Sequence, residues 1–343
     1  MSESDQTPAA PTPISRIKFK SNVQPPAEQT GPDLNAISHA VLAADPVDAI
    51  KSAAFAKPSL ADIVTLIRSG EGPKQVSFPA GIPTQPTPAQ EIEIAKLATA
   101  KAVNVMLATA DFWAATRVEG SSFAAGIGVG PLTLSFVTQV GGATQVRSHV
   151  VPAMSQREFD AAIAALSDGD TTPAFERRLW AASEVPQYMF ALALGLDVVR
   201  EKPYTCMLFD IVPAVVAVAV HRLKHLARVS RPSDVNPQVT TTIDNPAFTS
   251  YPGGHAAIAH AMAKVLSAAT GASADELAEL ALLIAGDRVS AAIHTDIDTS
   301  RGQAVGEAMA QWMLEAVNQP QSFGPWSGVF AMAMTEWPRP PAP

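Results

Sequence analysis

The chain has 343 residues, of which 47% are hydrophobic, so it can form a substantial hydrophobic core in one large or two modest domains. Its formal net charge is −8, with 24 Lys and Arg residues in total, which argues against a general role in binding nucleic acid. The single cysteine, Cys206, excludes an intrachain disulfide framework and a cysteine-based zinc cluster.

The N-terminal residues 1–32 are polar and rich in proline, which predicts a disordered tail ahead of a single α-helical domain at residues 33–343. The first 20 residues have acidic groups and three prolines where a signal peptide needs a basic start and an apolar run, so we expect a cytoplasmic protein. Residues 121–146 are the best candidate for a membrane span, but their five glycines and one proline favour a loop or short strands. We therefore expect no association with a membrane.

Capping residues ahead of apolar residues at helical spacing predict helices along the whole domain. In the N-terminal part, residues 33–150, the predicted helices run from Ser59 to Gly70 and from Thr87 through Trp113, followed by a Gly-rich insertion at 120–146. In the C-terminal part, residues 151–343, they run from Ser155 to Ser167, from Thr172 to Arg200, from residue 208 to 230, and from Ser273 to Arg288. Convincing alternating strands are not found, so the sequence predicts an all-α fold of about nine helices.

The stretch FTSYPGGH at residues 248–255 leads directly into a helical pattern that starts at His255. A Pro-Gly-Gly turn that feeds a helix start leaves backbone N–H groups without intrahelical partners and adds the positive end of the helix dipole. The sequence therefore predicts an anion-binding site with a titratable imidazole beside it.

Two further motifs flank this stretch. Lys224 is followed after six residues by Arg231 and Pro232, and Arg288 is followed after five residues by His294. In chain order, K-x6-R-P, P-G-G-H and R-x5-H resemble the signature K-x6-R-P, P-S-G-H and S-R-x5-H of vanadium-dependent haloperoxidases and type 2 phosphatidic acid phosphatases, a superfamily that includes soluble bacterial acid phosphatases. The resemblance covers about 75 residues and is specific, because three motifs agree in both order and spacing.

The resemblance implies an all-α, multi-helix bundle of the vanadium chloroperoxidase and acid phosphatase type. The three cations of the motifs would clamp the oxygens of a tetrahedral oxyanion, vanadate or phosphate, and His294 would bond to its central atom. Gly253 and Gly254 would line the site, with the Gly254 amide as a donor, and His255 would act as acid or base. These residue types suit the task, because a buried, multiply charged anion needs several charge-assisted hydrogen bonds and histidine is a competent nucleophile.

The spacing within the third motif carries two further expectations. Arg288 and His294 would point about 120° apart on one continuous helix, so either a turn intervenes or the long arginine side chain sweeps round. Asp298 follows His294 by four residues and would share its helix face. Its carboxylate would accept the second imidazole N–H and raise the basicity of the ring.

The first motif belongs to a stripe of basic side chains at the spacing of one helix face, formed by His221, Lys224, His225, Arg228 and Arg231. A solvated basic face is an alternative to an anion site here, and an H-x3-H metal pair of His221 and His225 is another. The apolar run at residues 211–220 favours a helix that passes through the interior. The other three histidines, His39, His149 and His260, are interpreted as hydrogen-bonded core or surface residues.

Two positions depart from the signature. The family has Ser at the position of Gly253 and usually has Ser at the position of Asp287. Gly253 lacks the hydroxyl donor of that Ser, and one such bond to a charged group contributes about 1.5–3 kcal/mol, so we expect looser retention of the oxyanion. In a second account, glycine is required because the turn needs a positive φ.

We weigh three functions. In the first, a vanadium-dependent haloperoxidase binds vanadate at His294, and this vanadate takes up hydrogen peroxide. Lys224 polarises the peroxo oxygen, and a halide attacks that oxygen to give hypohalous acid, which reacts with a small organic substrate. Four features favour this function: the chain length, the absence of an export signal, the ADFWA segment at 110–114, and Phe248. His221 favours bromide or iodide over chloride as the halide. The alternatives are a soluble phosphomonoesterase with a phosphorylated His294, and a non-catalytic oxyanion-binding relative. The sequence leaves the halide, the substrate and the oligomeric state open, a homo-oligomer included.

Overall fold

The computed structural model describes residues 88–120, 128–140, 142–184, 186–194 and 202–337. The predicted tail at residues 1–32 and the predicted helix from Ser59 to Gly70 lie outside this part of the chain.

The described residues are mainly helical. The helices are α1 (Pro88–Ala115), α2 (Gln156–Ala164), α3 (Pro173–Glu184), α4 (Pro186–Ala193), α5 (Pro203–Ala227), α6 (Pro232–Val235), α7 (Gly254–Thr270), α8 (Ala274–Ser290), α9 (Asp296–Ala316) and α10 (Gly324–Thr335). Proline is the first residue of α1, α3, α4, α5 and α6. This position suits proline, because the first helical residue needs no intrahelical N–H bond and has the φ to which the proline ring is restricted.

Local capping signals explain several of these helix starts. Ser155 and Glu158 form the predicted reciprocal capping box at the start of α2. The predicted cap of α8 is also confirmed, because the Ser273 side chain accepts a hydrogen bond from the Glu276 amide. Helix α1 runs through Trp113, as predicted, and continues to Ala115.

Two predicted helix boundaries are wrong. The helix predicted from Thr172 to Arg200 is divided into α3 and α4, and α4 restarts at Pro186 because proline favours a first-turn position over a helix interior. Helix α5 begins at Pro203 rather than residue 208, which places Pro213 inside the helix. The long packed apolar face of α5 stabilises it despite this interior proline.

The all-α prediction is confirmed only in part, because the Gly-rich insertion contributes strands. Strands β1 (Thr116–Gly120), β3 (Leu132–Val140) and β4 (Ala143–Val151) form a three-stranded antiparallel sheet in the order β1-β3-β4. Two short strands, β2 (Gly128–Val129) and β5 (Met154–Ser155), pair separately.

Alternating burial explains the sheet. In β3, Leu132, Leu134, Phe136 and Thr138 are buried, whereas the residues between them face away from the core. Val140 pairs with Ala143 across a two-residue connection in which Gly142 has a φ of 81°, a conformation that favours glycine. The alternation of buried and outward-facing positions in β3 is visible in the sequence, but the glycines and small polar residues around it made the strand difficult to recognise.

One described helical segment, Pro203–Val235, is long and apolar enough to cross a membrane by length and composition alone. This segment differs from residues 121–146, the stretch that sequence analysis singled out. The finding is weak, because a buried core helix passes the same test and 61% of the apolar window of this segment is buried within the protein.

Helix α7 is the central element, and it packs against α5, α8 and α9. Its contact with α9 is unusually close at two glycines that lie one turn apart. A Cβ atom on Gly302 would lie 2.2 Å from the Gly253 carbonyl oxygen, and one on Gly306 would lie 2.1 Å from the Ala257 carbonyl oxygen. The backbones of α7 and α9 therefore approach directly, and this approach places the P-G-G-H turn on the first turn of α9.

This close approach predicts that Gly306→Ala lowers the free energy of unfolding by about 3 kcal/mol, since a methyl group there forces the two helices apart. Chemical denaturation monitored by circular dichroism measures the change. Gly328→Ala is the matched control, because Gly328 lies on the exposed face of α10 and a Cβ there has no atom within 4 Å. The control should be neutral or stabilising by up to about 1 kcal/mol. Equal effects at both positions would contradict the close approach.

Candidate active site

Helix α5 carries Lys224 into the protein interior. The residue is 3% exposed, and its ammonium donates hydrogen bonds to the carbonyl oxygens of Thr249, at 2.7 Å, and Ser250. The predicted basic stripe is not one helix face, because α5 ends at Ala227 and Arg228 has a left-handed φ of 53°. His221, His225 and Arg228 are exposed, so the stripe divides into a solvated part and a buried part.

Arg231 is the second buried cation and is 2% exposed. It lies immediately before α6, after the chain has turned out of α5. Its guanidinium donates to the Phe248 carbonyl at 3.2 Å and to the Ile293 carbonyl at 2.9 Å, and its Nη1 lies 3.1 Å from His294 Nε2. Arg231 therefore connects the first and third motifs directly.

Arg288 and His294 are separated by a turn, as one of the two sequence alternatives required. Helix α8 ends at Ser290, Ala292 has a positive φ of 56°, and the Arg288 carbonyl accepts the His294 amide at 3.3 Å. Arg288 is 1% exposed and donates to the Leu179 carbonyl of α3 at 3.3 Å. The turn allows an arginine on a helix and a histidine beyond its end to serve the same site.

His294 is held on its Nδ1 side by Ser250 and Asp298. Ser250 Oγ lies 3.0 Å from His294 Nδ1 and donates to Asp298 Oδ2 at 2.7 Å. Nδ1 itself lies 3.4 Å from Asp298 Oδ2. His294 precedes α9 instead of sharing a helix face with Asp298, but the predicted contact between the two is present.

Asp298 is fixed by the start of α9. It forms a capping box with Thr295, whose amide donates to Asp298 Oδ2 at 2.8 Å. Burial tends to raise the pKa of Asp298, but the neighbouring His294 and hydrogen bonds from Thr295 and Ser250 outweigh burial and keep this pKa below its ordinary value. Asp298 is therefore an anion that orients the imidazole.

The imidazole of His294 is neutral at physiological pH. Burial lowers its pKa from 6.5 to about 4, although Asp298 offsets part of the effect. With the proton on Nδ1 directed to Ser250, the Nε2 lone pair faces the guanidinium of Arg231. A neutral imidazole whose Nε2 lone pair points towards a cation that can bind an oxyanion is the form required of a nucleophile or an anion ligand.

The buried basic groups Lys224 and Arg231 outnumber the buried carboxylate of Asp298, whose charge acts on both of them. Burial, followed by the charge of Arg231, lowers the pKa of Lys224 to about 7. Burial also lowers the pKa of Arg231 and brings that of Arg288 to about 10. Such a surplus is costly without an anion, so the arrangement suits a multiply charged oxyanion.

The P-G-G-H turn lies beside these groups. A Cβ on Gly254 would lie 3.9 Å from Lys224 Cε, and His255 is the second residue of α7 and is partly exposed. Gly253 has a φ of −63°, so the account in which it must adopt a positive φ is wrong. Its amide donates to the Asp298 carbonyl at 2.8 Å, which leaves the Gly254 amide as the donor that the resemblance implies.

Two aromatic rings lie next to the cations. The His221 and Phe248 rings meet edge to face with centroids 4.8 Å apart, and half of the surface of Phe248 is exposed. Burial and then the charge of Lys224 lower the pKa of His221. Phe248 is thus a partly exposed aromatic group in contact with His221 of the helix that carries Lys224.

Sequence reasoning missed two residues that the structure joins to the site. Ser250 lies within the quoted FTSYPGGH stretch, but its hydroxyl role depends on Asp298, 48 residues away. Arg178 forms a two-bond pair with Asp287, 109 residues away. The departure from the family at Asp287 was the available signal for this pair.

The lowered pKa of His294 predicts a specific pH dependence of stability. Between its pKa of about 4 in the folded protein and 6.5 in the unfolded chain, the unfolded state binds more protons, so stability falls as the pH decreases through this range. The difference in unfolding free energy between the wild type and His294→Gln should shrink by roughly 1–3 kcal/mol from pH 6.5 to 4.5.

Urea denaturation at several pH values measures this difference. The exposed His225→Gln variant is the control and should differ from the wild type by a constant amount. A constant difference for His294→Gln as well would show that its imidazole is not buried in the neutral form.

Comparison with known families agrees with this geometry. Residues 204–321 match the PAP2 superfamily, and the matched region contains all three motifs, from Lys224 to His294. No curated protein matches the chain. Residues 204–321 of this chain are therefore similar to the PAP2 superfamily.

Proposed function

We propose that the protein is a hydrolase of phosphate monoesters in which His294 is the nucleophile. A PAP2 superfamily domain suggests chemistry of the phosphatase or haloperoxidase type on an oxyanion. The observation that carries the proposal is the neutral imidazole of His294, with Nε2 lying 3.1 Å from Arg231 Nη1 and Nδ1 held through Ser250 by Asp298.

In this proposal, Lys224, Arg231 and Arg288 bind the phosphoryl oxygens. The Nε2 lone pair of His294 forms a bond to phosphorus while the bond from phosphorus to the ester oxygen breaks, and the leaving oxygen takes a proton from His255. Water then attacks phosphorus while the bond from phosphorus to Nε2 breaks, and the proton of the water passes to His255. Inorganic phosphate leaves, and the neutral imidazole is regenerated. The partly exposed position of His255 supports this role, since the group has to exchange protons with water.

The site also supports a second candidate, a vanadium-dependent haloperoxidase. The same cations, the Gly254 amide and His294 Nε2 have the chemistry to hold vanadate, which when bound would activate hydrogen peroxide for oxidation of a halide. The partly exposed Phe248 ring beside His221 favours this candidate as a place for a halide and a small organic substrate.

Gly253 favours hydrolysis over a resident cofactor. Its amide is engaged by Asp298, and it lacks the hydroxyl that the related signature provides, so fewer donors remain to retain an oxyanion permanently. A phosphatase binds its oxyanion only during turnover and releases it.

We further propose that the protein acts in the cytoplasm without a membrane partner, in keeping with the burial of its most apolar helix.

Replacement of the nucleophile tests both candidates. His294→Ala should reduce hydrolysis of para-nitrophenyl phosphate by roughly 10³-fold or more and abolish tight binding of orthovanadate, whereas the exposed control His225→Ala should retain both. Turnover by His294→Ala at the parent rate would exclude His294 as the nucleophile.

A halide-dependent bromination assay after incubation with vanadate separates the two candidates. Bromination without phosphate-ester hydrolysis would favour the haloperoxidase. Anion binding with neither activity would identify a non-catalytic relative.

The effect of Gly253 is tested by comparing Gly253→Ser with Gly253→Ala. A Cβ there would lie 3.0 Å from the Asp298 carbonyl oxygen, so both variants should lose about 1–2 kcal/mol of unfolding free energy. Only Ser adds a hydroxyl donor, and it should bind orthovanadate about ten-fold or more tightly than Ala does. Calorimetric titration and thermal melts measure the two quantities. Equal affinity of the Ser and Ala variants would rule out a missing donor.

A further inference from the structure

Helix α3 lies outside the matched region and nevertheless packs against the R-x5-H segment. Phe175 and Leu179 of α3 form a small apolar cluster with Ala291 and Ile293, which immediately precedes His294. The Leu179 carbonyl also accepts a hydrogen bond from Arg288. A helix that precedes the matched region therefore contacts the R-x5-H segment at both of its ends.

Arg178 of α3 forms a two-bond ion pair with Asp287. Its Nε donates to Oδ2 at 2.8 Å and its Nη2 donates to Oδ1 at 2.8 Å, a geometry in which both carboxylate oxygens are engaged. The Asp287 side chain is 4% exposed and that of Arg178 is 15% exposed. Because the pair is nearly removed from water, it is much less screened than a surface ion pair.

The position of Asp287 makes this pair relevant to the oxyanion site. Asp287 directly precedes Arg288, where the related signature usually has an uncharged Ser. A buried carboxylate requires a cationic partner, and Arg288 is a buried cation close enough for the Asp287 charge to raise its pKa against the effect of burial. Without Arg178, Asp287 would compete with the oxyanion for the Arg288 guanidinium.

We propose that Arg178 is a positioning residue, which engages Asp287 through two hydrogen bonds and so prevents this carboxylate from competing with the oxyanion for Arg288. The inference rests on the proposed function, in which Arg288 binds phosphoryl oxygens. It assigns a role to a residue outside the three motifs and explains how this chain carries Asp at a position usually held by Ser.

Direct binding of inorganic phosphate and orthovanadate, measured by isothermal titration calorimetry, tests the proposal without relying on turnover. Arg178→Met should weaken binding about ten-fold or more, because Arg288 is diverted to Asp287. Asp287→Ser should bind about as well as the wild type. The double variant should return to within about three-fold of the wild type, since it removes the competing carboxylate together with Arg178.

A purely structural role of Arg178 makes a different forecast. If Arg178 only holds α3 in place, the double variant should bind as weakly as Arg178→Met, and this result would overturn the proposal. Leu179→Ala is the control for packing: it should lower the melting temperature, and adding Asp287→Ser should not reverse that loss.

Three other outcomes are equally decisive. If Arg178→Met does not fold, weaker binding by the double variant than by Asp287→Ser alone would overturn the proposal, and equal binding would support it. If the wild type binds neither anion, the oxyanion site itself is wrong and the inference fails with it. If Arg178→Met binds the anions as tightly as the wild type does, the positioning role alone is overturned.

Discussion

The buried carboxylate of Asp298 joins the parts of this site that come from different regions of the chain. Its Oδ2 accepts from the Thr295 amide at the start of α9 and from the Ser250 hydroxyl beside the P-G-G-H turn, and it lies 3.4 Å from His294 Nδ1. Its backbone carbonyl accepts the Gly253 amide. One residue therefore caps a helix, anchors the turn and orients the imidazole, so a displacement of Asp298 would disturb all three.

The geometry of Asp298 depends in turn on the direct approach of α7 and α9. Gly302 lies against the Gly253 carbonyl, and no other residue fits there without moving a backbone. A larger side chain would separate the turn from the first residues of α9, where the carbonyl and the carboxylate of Asp298 lie. Packing of two helices through glycine is thus a requirement of the site as well as of the core.

Charge is distributed unevenly around this framework. Lys224 and Arg231 donate to backbone carbonyls, which satisfy hydrogen bonds but leave the positive charges in place. Arg178, at the periphery, is instead neutralised by Asp287. The interior therefore places Lys224 and Arg231 beside a single buried carboxylate, that of Asp298, and pairs Arg178 with Asp287 elsewhere, an arrangement that favours anion binding at one point.

The sequence by itself determined the local features of the protein. Prolines and capping residues such as Ser155 and Ser273 set helix starts, because these signals act within one turn, and the spacing of Lys224, Arg231, Arg288 and His294 indicated an oxyanion site. The alternation in β3 was equally local and could have been recognised. Only the tertiary structure decided that Lys224 is buried while His225 is exposed, that Ser250 links His294 to Asp298, and that Arg178 reaches Asp287. These contacts join residues tens of positions apart, so they depend on how helices pack, which no local spacing specifies.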